Sequence, residues 1–288
     1  MGRVLSKQSD TAAMDGVNRE FELTKKDFKF IQWFIHKNVG IHLTDQKYAM
    51  VYGRLSRKLR EKGLERFVDY RELIEHSDHD KREFINSLTT NKTSFFREQH
   101  HFDYLESTLL PLWKQQGKRE IRIWSAGCST GEEPYSYLAS LASEGAFEDF
   151  DSVSLLATDL DTDVLSHAKA GVYEDEVLAS IPSHYLKRNF VKGKGSFAGK
   201  FKCAMHLRNH VKFNQLNLLG DWPMKKTFDL ISCRNVMIYF DKPTQTKLIK
   251  RFHQQLTPDG TLFIGHSESV GSDCHIFQHL GNTIYSKL

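Results

Sequence analysis

The first third of the chain repeats apolar residues at helical spacing. One such segment starts at a capping residue, Thr24, and stops at Gly40, and a second one runs over residues 45–62 and stops at Gly63. The spacing predicts two amphipathic helices, of which the second has a strongly basic polar side. Its cations are Lys47, Arg54, Arg57, Lys58, Arg60 and Lys62.

Two shorter helical segments follow. One begins near Phe67, and the other is predicted to start at an N-cap, Asp80, with Glu83 in the capping-box position. Together the four helices predict a small all-α domain over residues 22–90. The residues before it, 1–21, have no periodic pattern and are predicted to be a flexible tail.

Beyond a further helix at about 100–116, short β-rich runs alternate with helices. Such alternation predicts a mostly parallel sheet with helices on both faces, a Rossmann-like α/β domain over residues 100–288. The polar segment 91–99 is the predicted connection to the helical domain. The β-rich runs are IRIWSAG at 121–127, VSLLATD at 153–159, FDLISC at 228–233 and TLFIGH at 261–266.

An insertion separates the second of these runs from the third. Residues 172–214 contain a GKGSFAGK turn between the β-rich pieces FV, FKCAMHL and HVKF, which predicts a small antiparallel sheet at about 190–212. The last segment, around Gly281 and Asn282, predicts a terminal hairpin of two strands.

The composition of the chain indicates whether nucleic acid, a membrane or a metal ion is an expected partner. Forty basic residues against 36 acidic ones leave a formal charge of +4, too small a surplus to predict nucleic-acid binding. The chain has no apolar run of about 18 residues and no secretory pattern at its start, so we expect no membrane insertion and a cytoplasmic location. The four cysteines lack CxxC spacing, and the pair His100-His101 is interpreted as a helix start, so no metal site is predicted.

The segment IRIWSAGCSTGEEPYS at 121–136 carries the clearest chemical signal. A buried strand runs into a turn with Gly127 and Gly131, where the backbone can approach a ligand closely, and then into a helix. The spacing is not GxGxxG, and the acidic pair Glu132-Glu133 at the helix start would repel a pyrophosphate. Glu132 could instead bind a cationic ammonium group. A tight turn without any ligand is the alternative.

A second signal is Asp159, at the end of the second β-rich run. A carboxylate at the carboxyl end of that strand holds ribose hydroxyls in folds of this kind. The alternative is that Asp159 caps the next helix, a role that Asp161 fills at least as well.

Six segments, in their order along the chain, resemble the chemotaxis receptor glutamate methyltransferases, the CheR-type family. The resemblance runs from about residue 22 to the end. It implies S-adenosylmethionine (SAM) as cofactor and S-adenosylhomocysteine as product. The family commonly has HSEN where this chain has HSES, at 266–269. The six segments are NKTSFFRE, SAGCSTGEEPYS, ATDLD, NLL at 217–219, CRNVMIYF at 233–240 and GHSES at 265–269.

The resemblance also implies roles for the matching residues of the linker and of the first two strand ends. Asn91, Thr93 and Arg97 would reach over the cofactor from the linker. Glu132 would hold its amino group, and Asp159 would take its ribose.

The remaining implied roles fall in the second half of the chain. Asn217 and Leu218 would flank the adenine. Arg234 and Asn235 would complete the pocket beneath the sulfonium, and Tyr239 would lie close to the transferred methyl group.

Methyl transfer from a sulfonium mainly requires that acceptor, methyl carbon and sulfur be aligned. A glutamate acceptor has a pKa of about 4.3 and is ionised at neutral pH, so no strong general base is needed. Arg97, through a charge-assisted fork, and Tyr239, through its hydroxyl, are the predicted catalytic residues that orient this carboxylate.

By the same resemblance, the partners would be the cytoplasmic helices of chemoreceptors. The basic helix 45–62 is a candidate docking face, although charge runs are most often just solvated, and the insertion could hold a receptor's C-terminal tail by adding a strand. The chain is expected to be a monomer.

Three other functions are weighed against this one. A nicotinamide-dependent oxidoreductase is opposed by the missing GxGxxG. A nucleic-acid methyltransferase is opposed by the turn at Arg234 and Asn235, where enzymes acting on bases often carry an Asp/Asn-Pro-Pro-Tyr-like sequence. A non-catalytic module that senses SAM or binds a receptor tail would have the same pocket, and only turnover would distinguish it.

Overall fold

The computed structural model describes residues 19–271 and 275–288. The chain divides into two compact units, residues 1–89 and 90–288. The tail predicted at 1–21 lies, except for its last three residues, outside the described residues. No helix in the described part of the chain is long and apolar enough to cross a membrane.

The first unit consists of the four predicted helices. Thr24 and Asp27 form the capping box that starts the first of them, with Asp27 N donating to Thr24 Oγ1 at 3.1 Å, and Gly40 ends it in a left-handed conformation at φ 73°. The second helix likewise ends at a left-handed glycine, Gly63. The four helices are α1 (Lys25–Val39), α2 (Tyr48–Lys62), α3 (Phe67–His76) and α4 (Asp78–Leu88).

The predicted start of α4 was wrong. Ser77, not Asp80, is the N-cap, because its hydroxyl accepts a hydrogen bond from Asp80 N at 3.2 Å. Asp80 lies inside the first turn and pairs with Lys62 at 2.5 Å. A serine one turn earlier can cap the helix equally well, which leaves the carboxylate of Asp80 for the cation and for the positive end of the helix dipole.

The second unit is built on a seven-stranded sheet in the order β6-β2-β1-β7-β8-β10-β9. The first five strands in this order run parallel, and β10 is antiparallel to both of its neighbours. The terminal hairpin predicted around Gly281 is confirmed as β9 and β10. The strands are β1 (Glu120–Ala126), β2 (Ser152–Asp159), β6 (Val211–Gln215), β7 (Phe228–Cys233), β8 (Leu256–Ile264), β9 (Phe277–Gly281) and β10 (Ile284–Lys287).

Helices cover both faces of this sheet, as predicted. Side chains of β1 alternate between two buried clusters, with Ile121 and Ile123 in one and Trp124 and Ala126 in the other. A π turn at Leu105–Leu109 joins α5 to α6, just before a proline that has no N–H to donate. The helices are α5 (His100–Tyr104), α6 (Leu110–Gln115), α7 (Glu132–Ser143), α8 (Ala146–Asp149), α9 (Thr162–Ala170), α10 (Ser183–Asn189), α11 (Met205–Arg208) and α12 (Lys242–Gln255).

The insertion forms a separate three-stranded antiparallel sheet in the order β3-β5-β4, which confirms its predicted type. Its strands are β3 (Val172–Glu174), β4 (Phe190–Lys192) and β5 (Lys200–Cys203). The HVKF piece does not belong to it. Its last three residues begin β6, which pairs in parallel with β2, because the apolar side chain of Phe213 packs in the main core against Tyr135.

Candidate active site

The predicted site residues lie at one edge of the main sheet, where its parallel strands end. Gly127 follows β1, Asp159 ends β2, Asn217 follows β6 and Arg234 follows β7. The chain moves outward from β1 through β2 to β6 and then returns to β7 on the other side of β1. This reversal creates a crevice beside β1, which is where ligands bind in open α/β sheets.

The turn after β1 needs its glycines. Gly127 and Gly131 have φ values of 90° and 98°, a region that other residues rarely adopt. A Cβ on Gly127 would also collide with the side chain of Val236, and one on Gly131 would lie 2.8 Å from the hydroxyl of Tyr173. The amides of Gly127 and Cys128 both donate to the carbonyl of Thr158, which ties the turn to β2.

Asp159 holds the same turn from β2. Its carboxylate accepts hydrogen bonds from Ser129 N at 2.8 Å and from Asp161 N at 3.0 Å. Burial raises the pKa of Asp159, although these backbone donors oppose the shift. The cap of α9 is Asp161, whose side chain accepts from Asp163 N at 2.9 Å, so Asp159 does not cap that helix. Its contact with a ribose stays a prediction.

Glu132 and Glu133 begin α7 but have different surroundings. Glu132 is buried, accepts a hydrogen bond from Thr130 Oγ1 at 2.6 Å, and has a pKa raised by that burial. Glu133 accepts from Ser125 Oγ at 2.7 Å and pairs with Arg234 at 3.2 Å. Glu133 therefore already has a cationic partner, which leaves Glu132 as the carboxylate suited to a ligand's ammonium group.

Arg234 is the centre of a buried ionic network. Its guanidinium, 2% exposed, pairs with Glu98 and Glu133 at 3.2 Å each and donates to the carbonyl of Arg97. Burial alone would lower the pKa of Arg234, but nearby Tyr137 and these two carboxylates raise it. The guanidinium is thus engaged by protein groups, and the predicted cofactor contact of Arg234 stays a prediction.

Glu98 is a residue of the candidate site that the sequence did not predict. Burial would raise its pKa, but Arg234 and hydrogen bonds from His266 outweigh this and lower its pKa to about 2. Its Oε1 lies 3.0 Å from His266 Nδ1 and 3.5 Å from Asn235 Nδ2. The partners come from distant parts of the chain, so no local pattern could have identified this role.

The linker segment is anchored by two phenylalanines. Phe95 packs against one aromatic ring from each strand of the insertion, and Phe96 stacks on Tyr185 at 4.2 Å between ring centroids. Phe96 and Glu98 have φ values of 51° and 59°, so the chain bends sharply on either side of Arg97. The rings around Phe95 are Tyr173, Phe190 and Phe201.

Arg97 and Tyr239, the two predicted catalytic residues, both contact the backbone of the linker. Arg97 Nη1 donates to the carbonyl of Lys92 at 3.2 Å, and the hydroxyl of Tyr239 donates to that of Thr90 at 3.4 Å. Both side chains are half-buried. Within the described ranges, 19–271 and 275–288, Arg97 has no carboxylate at ion-pair distance, in contrast to Arg234.

Three of the other predicted cofactor contacts lie at the same edge. Asn91 Nδ2 donates to Asp161 Oδ2 at 2.8 Å, and Thr93 is half-buried nearby in the linker. Asn217 Oδ1 accepts from Leu219 N at 3.0 Å, which bends the chain after β6, and Leu218 is buried. The structure therefore brings Asn91, Asn217 and Leu218 to one crevice edge, and their contacts with a cofactor, like that of Thr93, stay predictions.

One group at this site has the spacing of metal ligands. A ligand atom from each of Glu98, His100 and His101 lies within 4.8 Å of the others. Burial, together with the charges of Arg234 and His100, lowers the pKa of His101 to about 3, so the ring is neutral. The Glu98 carboxylate is already shared with Arg234, whose positive charge opposes a cation. The absence of a metal stays a prediction.

Two family models match the chain, one in each unit. The model for the CheR methyltransferase all-alpha domain matches residues 26–89, and that for the CheR methyltransferase SAM binding domain matches residues 91–286. Chemotaxis protein methyltransferase 2 of Pseudomonas aeruginosa is 44% identical over 271 residues, which cover 93% of this chain and 95% of that protein. The chemotaxis protein methyltransferase of Escherichia coli K12 is 40% identical and covers 96% of each chain.

The fold and the site define an S-adenosylmethionine-dependent methyltransferase of the α/β class, which confirms the predicted cofactor and the predicted kind of enzyme. The two family models and the nearly full-length relatives identify the family within this class. The chain belongs to the CheR methyltransferase family.

Proposed function

We propose that this enzyme transfers the methyl group of SAM to glutamate side-chain carboxylates of membrane chemoreceptors, forming methyl esters for chemotactic adaptation in the cytoplasm. The relatives named chemotaxis protein methyltransferases, which match nearly the full chain, support the chemotaxis part of this proposal. One structural observation supports a carboxylate acceptor. Arg97 is a half-buried cation whose guanidinium meets a backbone carbonyl and, among the residues that the structure describes, no carboxylate at ion-pair distance.

The cofactor would lie across the carboxyl ends of β6, β2, β1 and β7. Glu132 would bind its ammonium group, Asp159 its ribose, and Asn217 with Leu218 its adenine. Asn91, Thr93 and Asn235 would close the pocket around it. These assignments are supported by Asp159, Asn217 and Asn235, which lie at the carboxyl ends of three strands beside the Gly127 turn.

The acceptor would be oriented by two groups of unequal strength. Arg97 would hold the carboxylate by a charge-assisted fork, and Tyr239 would add a neutral hydrogen bond through its hydroxyl. Arg97 and Tyr239 are hydrogen-bonded to the nearby carbonyls of Lys92 and Thr90, which would keep both groups close to the proposed methyl position. Since a glutamate is ionised at neutral pH, the site needs no general base and acts by alignment.

The acceptor atom is tested by the stability of the product toward base. Purified protein is incubated with methyl-labelled SAM and receptor-containing membranes, and the product is then treated with mild alkali. We expect label that enters the receptor and is released as methanol, because carboxyl methyl esters hydrolyse in base. Membranes from cells that lack receptors are the control. Label in the receptor that withstands base would contradict the proposal, because N- and C-methyl groups are stable there.

The basic helix α2 is proposed as a docking face for the acidic helices of the receptor. Most of its cations already have partners, since Arg57 and Lys58 pair with Glu61, and Arg54 donates to the carbonyl of Thr89 at 2.5 Å. The face is therefore less basic than the sequence suggests. Arg57, with 76% of its side chain exposed, is the cation best placed for a partner.

We expect Arg57→Glu to raise the receptor KM by about fivefold at low salt and by less at high salt, because exposed charges are screened. SAM affinity and kcat should not change. The matched control is Arg71→Glu on α3, which likewise breaks an Arg–Glu pair four residues apart, with Glu75. Steady-state kinetics at two salt concentrations measure the effect. An equal KM for both variants would exclude α2 as the docking face.

The three-stranded insertion is proposed to hold the receptor's C-terminal tail. Its edge strand β4 has an exposed Val191, and Phe197 in the following turn is 62% exposed. With Val172 and Phe201 these residues line a groove of about 250 Å³ whose other walls are Gly193 and four lysines. Such a groove is suited to an added strand with apolar side chains and a terminal carboxylate.

We expect Val191→Glu to weaken binding of a cognate receptor's C-terminal peptide by more than about tenfold, because a carboxylate would occupy the apolar edge and repel the peptide terminus. Fluorescence anisotropy with a labelled peptide measures the affinity. Val68→Glu, a substitution of a valine that is 39% exposed in the helical unit, is the control. Unchanged peptide affinity in the Val191 variant would contradict tail binding at this edge.

A further inference from the structure

Glu268, in the GHSES segment after β8, is a buried carboxylate that the proposed reaction leaves without a role. Its side chain accepts three backbone hydrogen bonds. Oε2 accepts from Gly265 N at 2.6 Å and from Asn235 N at 3.0 Å, and Oε1 accepts from Ile238 N at 3.1 Å. Glu268 is only 9% exposed, so it is directed into the protein.

Two of these donors belong to the loop that joins β7 to α12. This loop, residues 234–240, carries Asn235 at φ 61° and a 3₁₀ turn over Met237–Tyr239. Its Val236 side chain lies directly against Gly127 of the cofactor turn. The loop therefore carries three of the predicted site residues, Arg234, Asn235 and Tyr239, and touches the glycine turn.

The approach between Glu268 and the loop is too close for a side chain at position 265. A Cβ on Gly265 would lie 2.7 Å from Asn235 N and 2.9 Å from Glu268 Oε2. Gly265 thus permits the carboxylate to reach both donors. Burial raises the pKa of Glu268, and the backbone donors oppose that shift by stabilising its charged form.

Such a cluster makes the loop conformation specific. A buried carboxylate without donors is strongly unfavourable, and so is a buried amide without an acceptor. A loop conformation that breaks these hydrogen bonds is therefore disfavoured because it leaves both the carboxylate and the amides without partners. Asn235 in particular is held at a positive φ that its own backbone does not favour. The hydrogen bond from Asn235 N to Glu268 offsets the cost of this unfavourable backbone conformation.

We propose that Glu268 is a positioning residue that fixes loop 234–240 in the conformation that presents Asn235 and Tyr239 to the cofactor. The inference rests on the proposed contacts of those two residues with SAM and its methyl group. It assigns a role to the third residue of HSES that does not involve contact with substrate or cofactor.

The test is Glu268→Gln, which preserves the size of the side chain but replaces one acceptor by an amide that cannot accept. We expect S-adenosylhomocysteine to bind about tenfold more weakly, as for the loss of a hydrogen bond to a charged group, and kcat for methyl transfer to fall. Ser267→Ala, a change at the exposed neighbouring residue, is the control and should bind normally. Calorimetry gives the affinity without any receptor, so a wrong receptor substrate would leave this result intact.

A double-mutant cycle with Asn235→Gly distinguishes positioning of the loop from general stabilisation of the fold. Glycine at position 235 keeps the positive φ and removes only the side chain. If Glu268 acts through the loop, Glu268→Gln should weaken binding by clearly less than tenfold in the Asn235→Gly background. Strict additivity, or wild-type affinity of the Glu268→Gln variant, would overturn the proposal.

Hydrogen exchange on the wild-type protein provides evidence that does not depend on a variant folding. We expect the amides of Asn235 and Ile238 to be protected even without cofactor, because Glu268 binds them in the free protein. Free exchange of both amides before S-adenosylhomocysteine is added would also overturn the proposal.

Discussion

Replacement of Gly127 by alanine is expected to abolish useful cofactor binding, with a loss of about 100-fold in S-adenosylhomocysteine affinity. The added Cβ meets two obstacles at once, a φ of 90° and the side chain of Val236, with which it collides. Together, backbone strain and overpacking should lower the free energy of unfolding by about 3 kcal/mol. Calorimetric titration and urea denaturation measure the two effects.

Two matched variants separate the causes. Gly117 also has a positive φ, 63°, but no atom lies within 4 Å of an added Cβ, so Gly117→Ala should cost only about 1 kcal/mol and leave cofactor affinity intact. Adding Val236→Ala to Gly127→Ala should restore part of the lost affinity, because it removes the colliding methyl groups. If Gly127→Ala and Gly117→Ala lowered the free energy of unfolding equally, the contact with Val236 would be unimportant.

The two kinds of periodicity explain why the fold class could be predicted. Helical spacing with Thr24 and Gly40 as end signals, and apolar runs that alternate with helices, are local patterns produced by burial. The predictions of the α4 cap and of the sheet to which HVKF belongs were wrong, because in each case two local structures suit the sequence almost equally well. Ser77 and Asp80 can both cap a helix, and HVKF suits either sheet, so tertiary contacts decided each case.

The part of the candidate site that could be predicted from the sequence is the set of residues at the carboxyl ends of the parallel strands. Residues at the carboxyl ends of parallel strands, such as Asp159 and Arg234, lie at the same edge of any sheet of this type. The roles of Glu98 and Glu268 could not be inferred, because their partners are far apart in sequence and belong to a network of buried charges and backbone donors. Such a network is defined by packing, not by local pattern.

The second large effect is expected for the arginine of the linker. Arg97→Ala should lower kcat/KM for methyl transfer by about two to three orders of magnitude, as for the loss of one strong donor at a reacting centre. Arg97→Lys should recover little, because an ammonium group has the charge but not the planar fork that matches a carboxylate. S-adenosylhomocysteine affinity should fall by less than about tenfold, since the larger part of the proposed cofactor contacts is preserved.

Two controls make this result specific. Lys92→Ala removes an exposed cation of the same linker and should leave turnover near normal. Tyr239→Phe removes a neutral donor and should cost only about tenfold, because hydrogen bonds to an anion are weaker from a neutral group than from a charged one. Single-turnover kinetics with saturating SAM isolate the transfer step. If Arg97→Ala transferred the methyl group at the wild-type rate, the fork would not orient the acceptor, and the carboxylate would have to be held by another cation.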